Sequence, residues 1–194
     1  MNFIRKSYDS VLSLSSKKNA MFWLFVVAFA ESSFFPIPPD IMIIPMVLAT
    51  PNKAWKIAGL ATVASVLGGC LGYLIGVSFF DLLAKPMLEM YGYMAQFAKF
   101  QQYYTEYGSW IVFGAGITPF PYKIITIASG TVHLNFFVFT IASILARGLR
   151  FYLVAWLLYR FGAPMKRFIE KNLGLLSILF FILLIGSFYL LKFL

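Results

Sequence analysis

Five ionisable residues fall inside stretches that otherwise read as membrane-buried: Glu31, Asp40, Lys123, Arg147 and Arg150. A charge in hydrocarbon costs roughly 2.5 to 3.5 kcal/mol on insertion scales, so such residues mark polar sites by default. Arg147 and Arg150 are three apart, which puts them on one helix face, one turn from each other. Both lie too far from the ends of their apolar run for their heads to snorkel to the interface. Two acids and three bases sum to +1, a balance that attracts an anion. Arginine offers a planar fork suited to phosphate. Lys123, Arg147 and Arg150 are therefore the candidate head-group binders. Glu31 and Asp40 are the candidate ion-pair partners, and either could carry a proton if desolvation raises its pKa. The plainer reading of the same residues is a set of buried ion pairs that fix how the segments dock.

The segments that must position these charges are interrupted in matching ways. The first break is Glu31-Ser-Ser-Phe-Phe-Pro36-Ile-Pro38-Pro39-Asp40, and the second is Ile117-Thr118-Pro119-Phe120-Pro121-Tyr122-Lys123. Proline removes a backbone donor and clashes with the helix before it. Two broken hydrophobic segments in corresponding halves point to a transporter's binding site. Residues 20–50 are expected to form one re-entrant hairpin with Pro36, Pro38 and Pro39 at its tip. Residues 109–133 are expected to form a second, with Pro119 and Pro121 at its tip. Irregular backbone at that depth is tolerated only inside protein or beside a watery cavity.

Composition sets the class. Of 194 residues, 61% are hydrophobic and 12% charged, against about 25% charged in globular domains. The apolar runs are long and do not alternate, so the expectation is an all-α integral membrane protein of one domain rather than a barrel. The formal net charge of +9 would suggest nucleic acid in a soluble protein. Here the basic residues flank apolar segments and orient them, and no nucleic-acid partner is expected.

Residues 55–80 read as a full span. Gly68, Gly72 and Gly76 lie four apart on one of its faces, where small residues let another backbone approach. Residues 81–108 are a polar linker of net charge −1, rich in tyrosine, expected to lie on the outer surface as an amphipathic helix. A second span covers 135–160 and an apolar one 173–191. Residues 1–18, with a short apolar stretch over 3–14, read as a retained interfacial segment rather than a cleaved leader.

Charge closes the topology. Lys17, Lys18, Lys53 and Lys56 flank the first hairpin, and Arg160, Lys166, Arg167 and Lys171 follow the second span. Both clusters are cytoplasmic by the positive-inside rule, as is the N-terminus. Each hairpin with its following span is then the inverted image of the other, an arrangement that recurs in transporters.

Other chemistries find little support. Cys70 is alone, which excludes an internal disulfide and a multi-cysteine metal site. Glu31 and Asp40 beside three cations make a poor metal cage. No catalytic triad order, zinc-protease helix, P-loop or dinucleotide fingerprint is present. His133 reads as an interfacial or packed histidine and Asp81 as a solvated flank. No enzyme activity, metal or cofactor is expected.

At this point the residues resemble a family. Glu31 with Pro36-Ile-Pro38-Pro39-Asp40 is similar to the acidic-proline element of the DedA membrane proteins, also called SNARE-associated or VTT-domain proteins. Gly68-Gly69-x-x-Gly72-Tyr73-x-x-Gly76 looks like the glycine-rich span that follows it there. Phe113-Gly114 with Pro119, Lys123 and Gly130 is similar to the family's second hairpin, and the Thr118-Pro119 form looks most like its YqaA-type branch. The resemblance implies two re-entrant hairpins facing each other in the bacterial inner membrane. It implies lipid transport of undecaprenyl phosphate or phospholipids, often coupled to protons. It assigns Glu31 and Asp40 to the family's acids. The main branch carries Arg-x-x-Pro-x-x-Arg in hairpin two; here Ala115 and Gly116 stand in the first region and Lys123 lies about one position off the second. Arg147 and Arg150 are expected to supply the missing charge.

The expected function is a flippase for a phosphate-bearing lipid, with membrane lipids and protons as partners and a homo-oligomer allowed. The alternative is a proton-coupled carrier of a small solute or ion through the same cavity.

Overall fold

The computed structural model describes residues 14, 15, 17–33, 38–117, 121–162 and 164. The expected last span (173–191), most of the N-terminal segment, Pro36 and Pro119 lie outside the described residues, as do Lys166, Arg167 and Lys171. Within them the chain is all-helical, with no strand. In order come α1 (Ala20–Ser33), α2 (Asp40–Ala49), α3 (Ala54–Phe79), α4 (Lys85–Met90), α5 (Met94–Ile117), α6 (Tyr122–Thr131) and α7 (Phe136–Phe161). A 3-10 turn (Pro51–Lys53) leads into α3, and a π-helical turn (Phe80–Ala84) joins α3 to α4.

Local chemistry sets these boundaries. Pro39 precedes α2 and Pro121 precedes α6. Proline suits a helix start, where its missing N–H would have no partner anyway. Asp40 stands in the first turn of α2, where the helix dipole favours a carboxylate. Asn135 caps α7, its Oδ1 accepting from the backbone N–H of Phe137 at 3.0 Å and of Val138 at 3.2 Å. The end of α6 is a Schellman turn, in which His133 N–H donates to the Gly130 carbonyl and Leu134 N–H to that of Ser129. His133 takes the left-handed position there with φ 55°, a place usually filled by glycine.

The packing is reciprocal. Helix α3 holds α1 on one side and α6 on another, while α7 holds α5 and the shorter α2; α3 and α7 also pack on each other. Each long helix thus supports the first arm of its own broken pair and the second arm of the other. Close approach along α3 depends on its glycines. A Cβ at Gly68 would overlap the Phe29 carbonyl of α1, and one at Gly76 the Ile127 carbonyl of α6. Gly72 lies against Thr126 of α6 and the Ser32 carbonyl of α1. Helix α5 begins inside the stretch read as the polar linker and continues past position 108 without interruption.

Two apolar clusters form the interior. One gathers Leu24, Met42, Ile43, Val47, Ile57 and Phe151, and the other Tyr73, Val112, Tyr122, Leu134 and Phe139. The outer faces of α3 and α7 are apolar yet exposed, including Leu67, Leu74, Leu145 and Leu149. In a soluble protein so much exposed apolar surface would promote association; against lipid tails it carries no penalty. The segments Pro51–Met90 and Phe136–Phe161 are long and apolar enough to cross a membrane, with mean hydropathy 1.9 and 1.6.

Candidate functional site

Arg147 sits between the two apolar clusters and touches a ring from each. Its guanidinium carbon lies 4.9 Å from the Tyr122 ring centre and 4.6 Å from that of Phe151. An arginine in such surroundings needs acceptors for its donors. Its Nη2 donates to Glu31 Oε2 at 2.9 Å and its Nε to Ser65 Oγ at 2.6 Å. The Arg147 side chain is only 2% exposed and that of Glu31 15%. One turn further along α7, Arg150 donates to Asp40 Oδ2 at 2.8 Å, with both side chains about one-fifth exposed. Two ion pairs therefore tie α7 to the two arms of the first broken pair, Glu31 at the end of α1 and Asp40 at the start of α2.

Hydroxyl groups complete the arrangement. Ser32 Oγ donates to Glu31 Oε2 at 3.2 Å and shares a 2.6 Å hydrogen bond with Ser65 Oγ. Ser33 donates to the Gly68 carbonyl at 2.8 Å, locking α1 against α3. The Tyr122 hydroxyl donates to Ser143 Oγ, which keeps its ring in place beside Arg147. Thr126 Oγ1 donates to the Lys123 carbonyl at 2.9 Å. No buried side-chain polar atom among the described residues lacks a partner. This is what a polar network in an apolar interior requires.

Of the residues singled out in the sequence, Glu31, Asp40, Arg147 and Arg150 come together in these pairs. Lys123 is half-buried in the first turn of α6, next in sequence to Tyr122. Pro38 and Pro121 are exposed and Pro39 is buried. Gly68, Gly72 and Gly76 face α1 and α6. His133 lies at the far end of α6, edge-on to the Phe80 ring at 5.4 Å. No group of three or more His, Cys, Asp or Glu side chains is placed to hold a metal among the described residues.

Ser32, Ser65, Tyr122 and Phe151 were not singled out as site residues. Ser65 had a usable signal: it lies three residues before Gly68, on the same stripe of small residues along α3. Ser32 had another, its adjacency to a membrane-buried acid.

The family model of the VTT domain matches residues 37–160. The chain belongs to the VTT-domain family, the DedA membrane proteins. An uncharacterized protein of Haemophilus influenzae is 38% identical over 174 residues, covering 88% of this chain and 90% of the relative. One from Histophilus somni is 36% identical over 167 residues, covering 84% and 87%. One from Methanocaldococcus jannaschii is 29% identical over 135 residues, covering 69% and 81%. No solved structure matches. This VTT-domain chain is thus a helical membrane protein, and its ion-paired centre lies almost wholly within the matched region, with Glu31 just before it.

Proposed function

We propose that this protein moves a phosphate-bearing lipid, a polyprenyl phosphate or a phospholipid, across the bacterial inner membrane. In this reading the two broken helix pairs are re-entrant hairpins, and each forms with its following span one of two inverted repeats. The reciprocal packing of α1 and α6 on α3, and of α5 and α2 on α7, supports that symmetry. Lys123, Arg147 and Arg150 take the head group, while Glu31 and Asp40 pair with the two arginines and carry the coupling proton. The N-terminus is cytoplasmic, by the charge of the flanking segments.

The observation that carries the reading is the Arg147–Glu31 pair. A guanidinium 2% exposed, deep in a membrane helix and paired to a carboxylate on the neighbouring broken segment, is costly to maintain as scaffold alone. Replacing a buried ion pair by apolar residues is often neutral or stabilising. A charge kept there despite that alternative suits a protein that must receive an anion.

The test is transbilayer movement of labelled polyprenyl phosphate and labelled phospholipid in vesicles holding the purified protein, with and without a pH gradient. Wild type should move one of them, and Glu31→Gln and Arg147→Ala should not. Movement of neither lipid under any gradient would turn the reading toward a proton-coupled carrier of small solutes or ions. The tight enclosure of Arg147 is the feature that such a carrier would explain.

A further inference from the structure

The donors around Arg147 have a fixed direction. Ser32 has one hydroxyl proton, and it goes to Glu31 Oε2. The Ser32–Ser65 contact must then be donated by Ser65. Ser65 in turn accepts from Arg147 Nε. The hydrogen bonds form a ring that starts at Arg147 and runs one way, through Ser65 and Ser32, to Glu31. It closes through the direct contact from Arg147 Nη2 to the same carboxylate oxygen. Aligned hydroxyls polarise each other, so a Ser65 that donates is also a better acceptor for Arg147.

The ring is not equally fixed at its two ends. The Arg147 guanidinium is flanked by the Tyr122 and Phe151 rings, held at Nε by Ser65, and almost wholly enclosed. Glu31 is the more open partner, near the end of α1. Its oxygen takes two donors that a phosphate could take instead. Among the described residues, Arg150 and Asp40, one turn along, and the Tyr122 hydroxyl also act electrostatically on Arg147.

We infer that Arg147 is the immobile anion-binding group of this site, that Ser65 is its positioning residue, and that Glu31 is a displaceable internal anion whose place the incoming phosphate takes. The inference rests on the transport reading above. It makes the protein's own carboxylate a competitor of the substrate: phosphate binds as Glu31 swings off Nη2, and release is driven by its return. The recognised chemistry is a lipid phosphate group with at least two acceptor oxygens.

The experiment is calorimetric binding of dioctanoyl phosphatidic acid, and separately of inorganic phosphate, to the full chain in detergent, with the melting temperature of each variant read alongside. Glu31→Gln should bind phosphatidic acid roughly tenfold or more tightly while melting lower, because it removes both the competitor and an ion pair. A residue with a structural role only would weaken both together. Should Glu31→Gln not purify, Glu31→Asp withdraws the carboxylate from Nη2 and carries the same expectation. Ser65→Ala should bind about tenfold more weakly, and Arg147→Ala should not bind. Inorganic phosphate following the same order of variants with equal affinity would keep the exchange and assign it to the free anion rather than to a lipid. Unchanged or weaker binding by Glu31→Gln, with binding still lost in Arg147→Ala, overturns the exchange and leaves the transport reading standing. Full binding by Arg147→Ala removes the head-group reading itself.

Discussion

Arg150 and Asp40 meet at 2.8 Å, one helical turn along α7 from the Arg147–Glu31 contact. Both members of the Arg150 pair are about one-fifth exposed, whereas Arg147 is enclosed. Two pairs of the same chemistry therefore differ in how much desolvation each must offset. Removing one partner of a buried pair leaves an uncompensated charge and costs about 3–5 kcal/mol. A partly open pair can be replaced by water, so its loss should cost on the order of 1–2 kcal/mol. Glu31→Ala, which strands the enclosed Arg147, should therefore lower the melting temperature in detergent well below that of Asp40→Ala, which strands the partly open Arg150. Equal drops would mean that the two pairs share one environment, against the geometry.

The glycines of α3 and α5 provide an internal contrast. A Cβ at Gly68 would strike the Phe29 carbonyl, a backbone atom that can move only if α1 moves. A Cβ at Gly114 meets nothing within 4 Å. Gly114 lies inside α5, where alanine is the better helix former by about 0.5–1 kcal/mol. Gly68→Ala should cost roughly 1–3 kcal/mol, in the range of overpacking, while Gly114→Ala should be neutral or stabilising. Thermal melting of the two variants side by side decides this. A destabilised Gly114→Ala would place an unseen neighbour against α5.

How much of this was legible in the sequence differs from residue to residue. Glu31, Asp40, Arg147 and Arg150 stand out because charge in an apolar run is costly and demands a partner. Which acid meets which base is not written locally, since the contacts span 116 and 110 positions of chain. Ser65 is harder to see. A serine among alanines and glycines looks like packing until its partner is known, and that partner, Arg147, lies 82 positions away. Tyr122 and Phe151 look like any aromatic in an apolar helix. The start of α5 was obscured for a physical reason too. The expected boundary at 108 between linker and hairpin falls inside the helix, where Gly108 sets its bare face against the Leu134 side chain. The glycine there serves close packing rather than a turn.

His133 occupies a left-handed backbone position, φ 55°, that closes the Schellman turn of α6. A side chain there is strained by roughly 1–2 kcal/mol relative to glycine. The edge contact with Phe80 offsets part of that strain. His133→Gly should leave the melting temperature unchanged or raise it slightly. His133→Val, β-branched at the same φ, should lower it. If valine is tolerated as well as glycine, the turn does not hold the conformation described.

Tyr122 makes two separable contributions to the centre. Its ring lies against the Arg147 guanidinium, and its hydroxyl is anchored on Ser143. Tyr122→Phe keeps the ring and loses the anchor, leaving the Ser143 hydroxyl its bond to the Phe139 carbonyl at 2.7 Å. Tyr122→Leu loses both ring and anchor. If the ring is what immobilises Arg147, phosphatidic acid binding should fall little in Tyr122→Phe and by about tenfold in Tyr122→Leu. The latter corresponds to one cation–π contact of roughly 1–2 kcal/mol in a desolvated site. If instead the hydroxyl is the decisive group, the two variants should fall together. In that case the route from Tyr122 to the anion runs through Ser143 and the backbone of α7 rather than through the face of the ring.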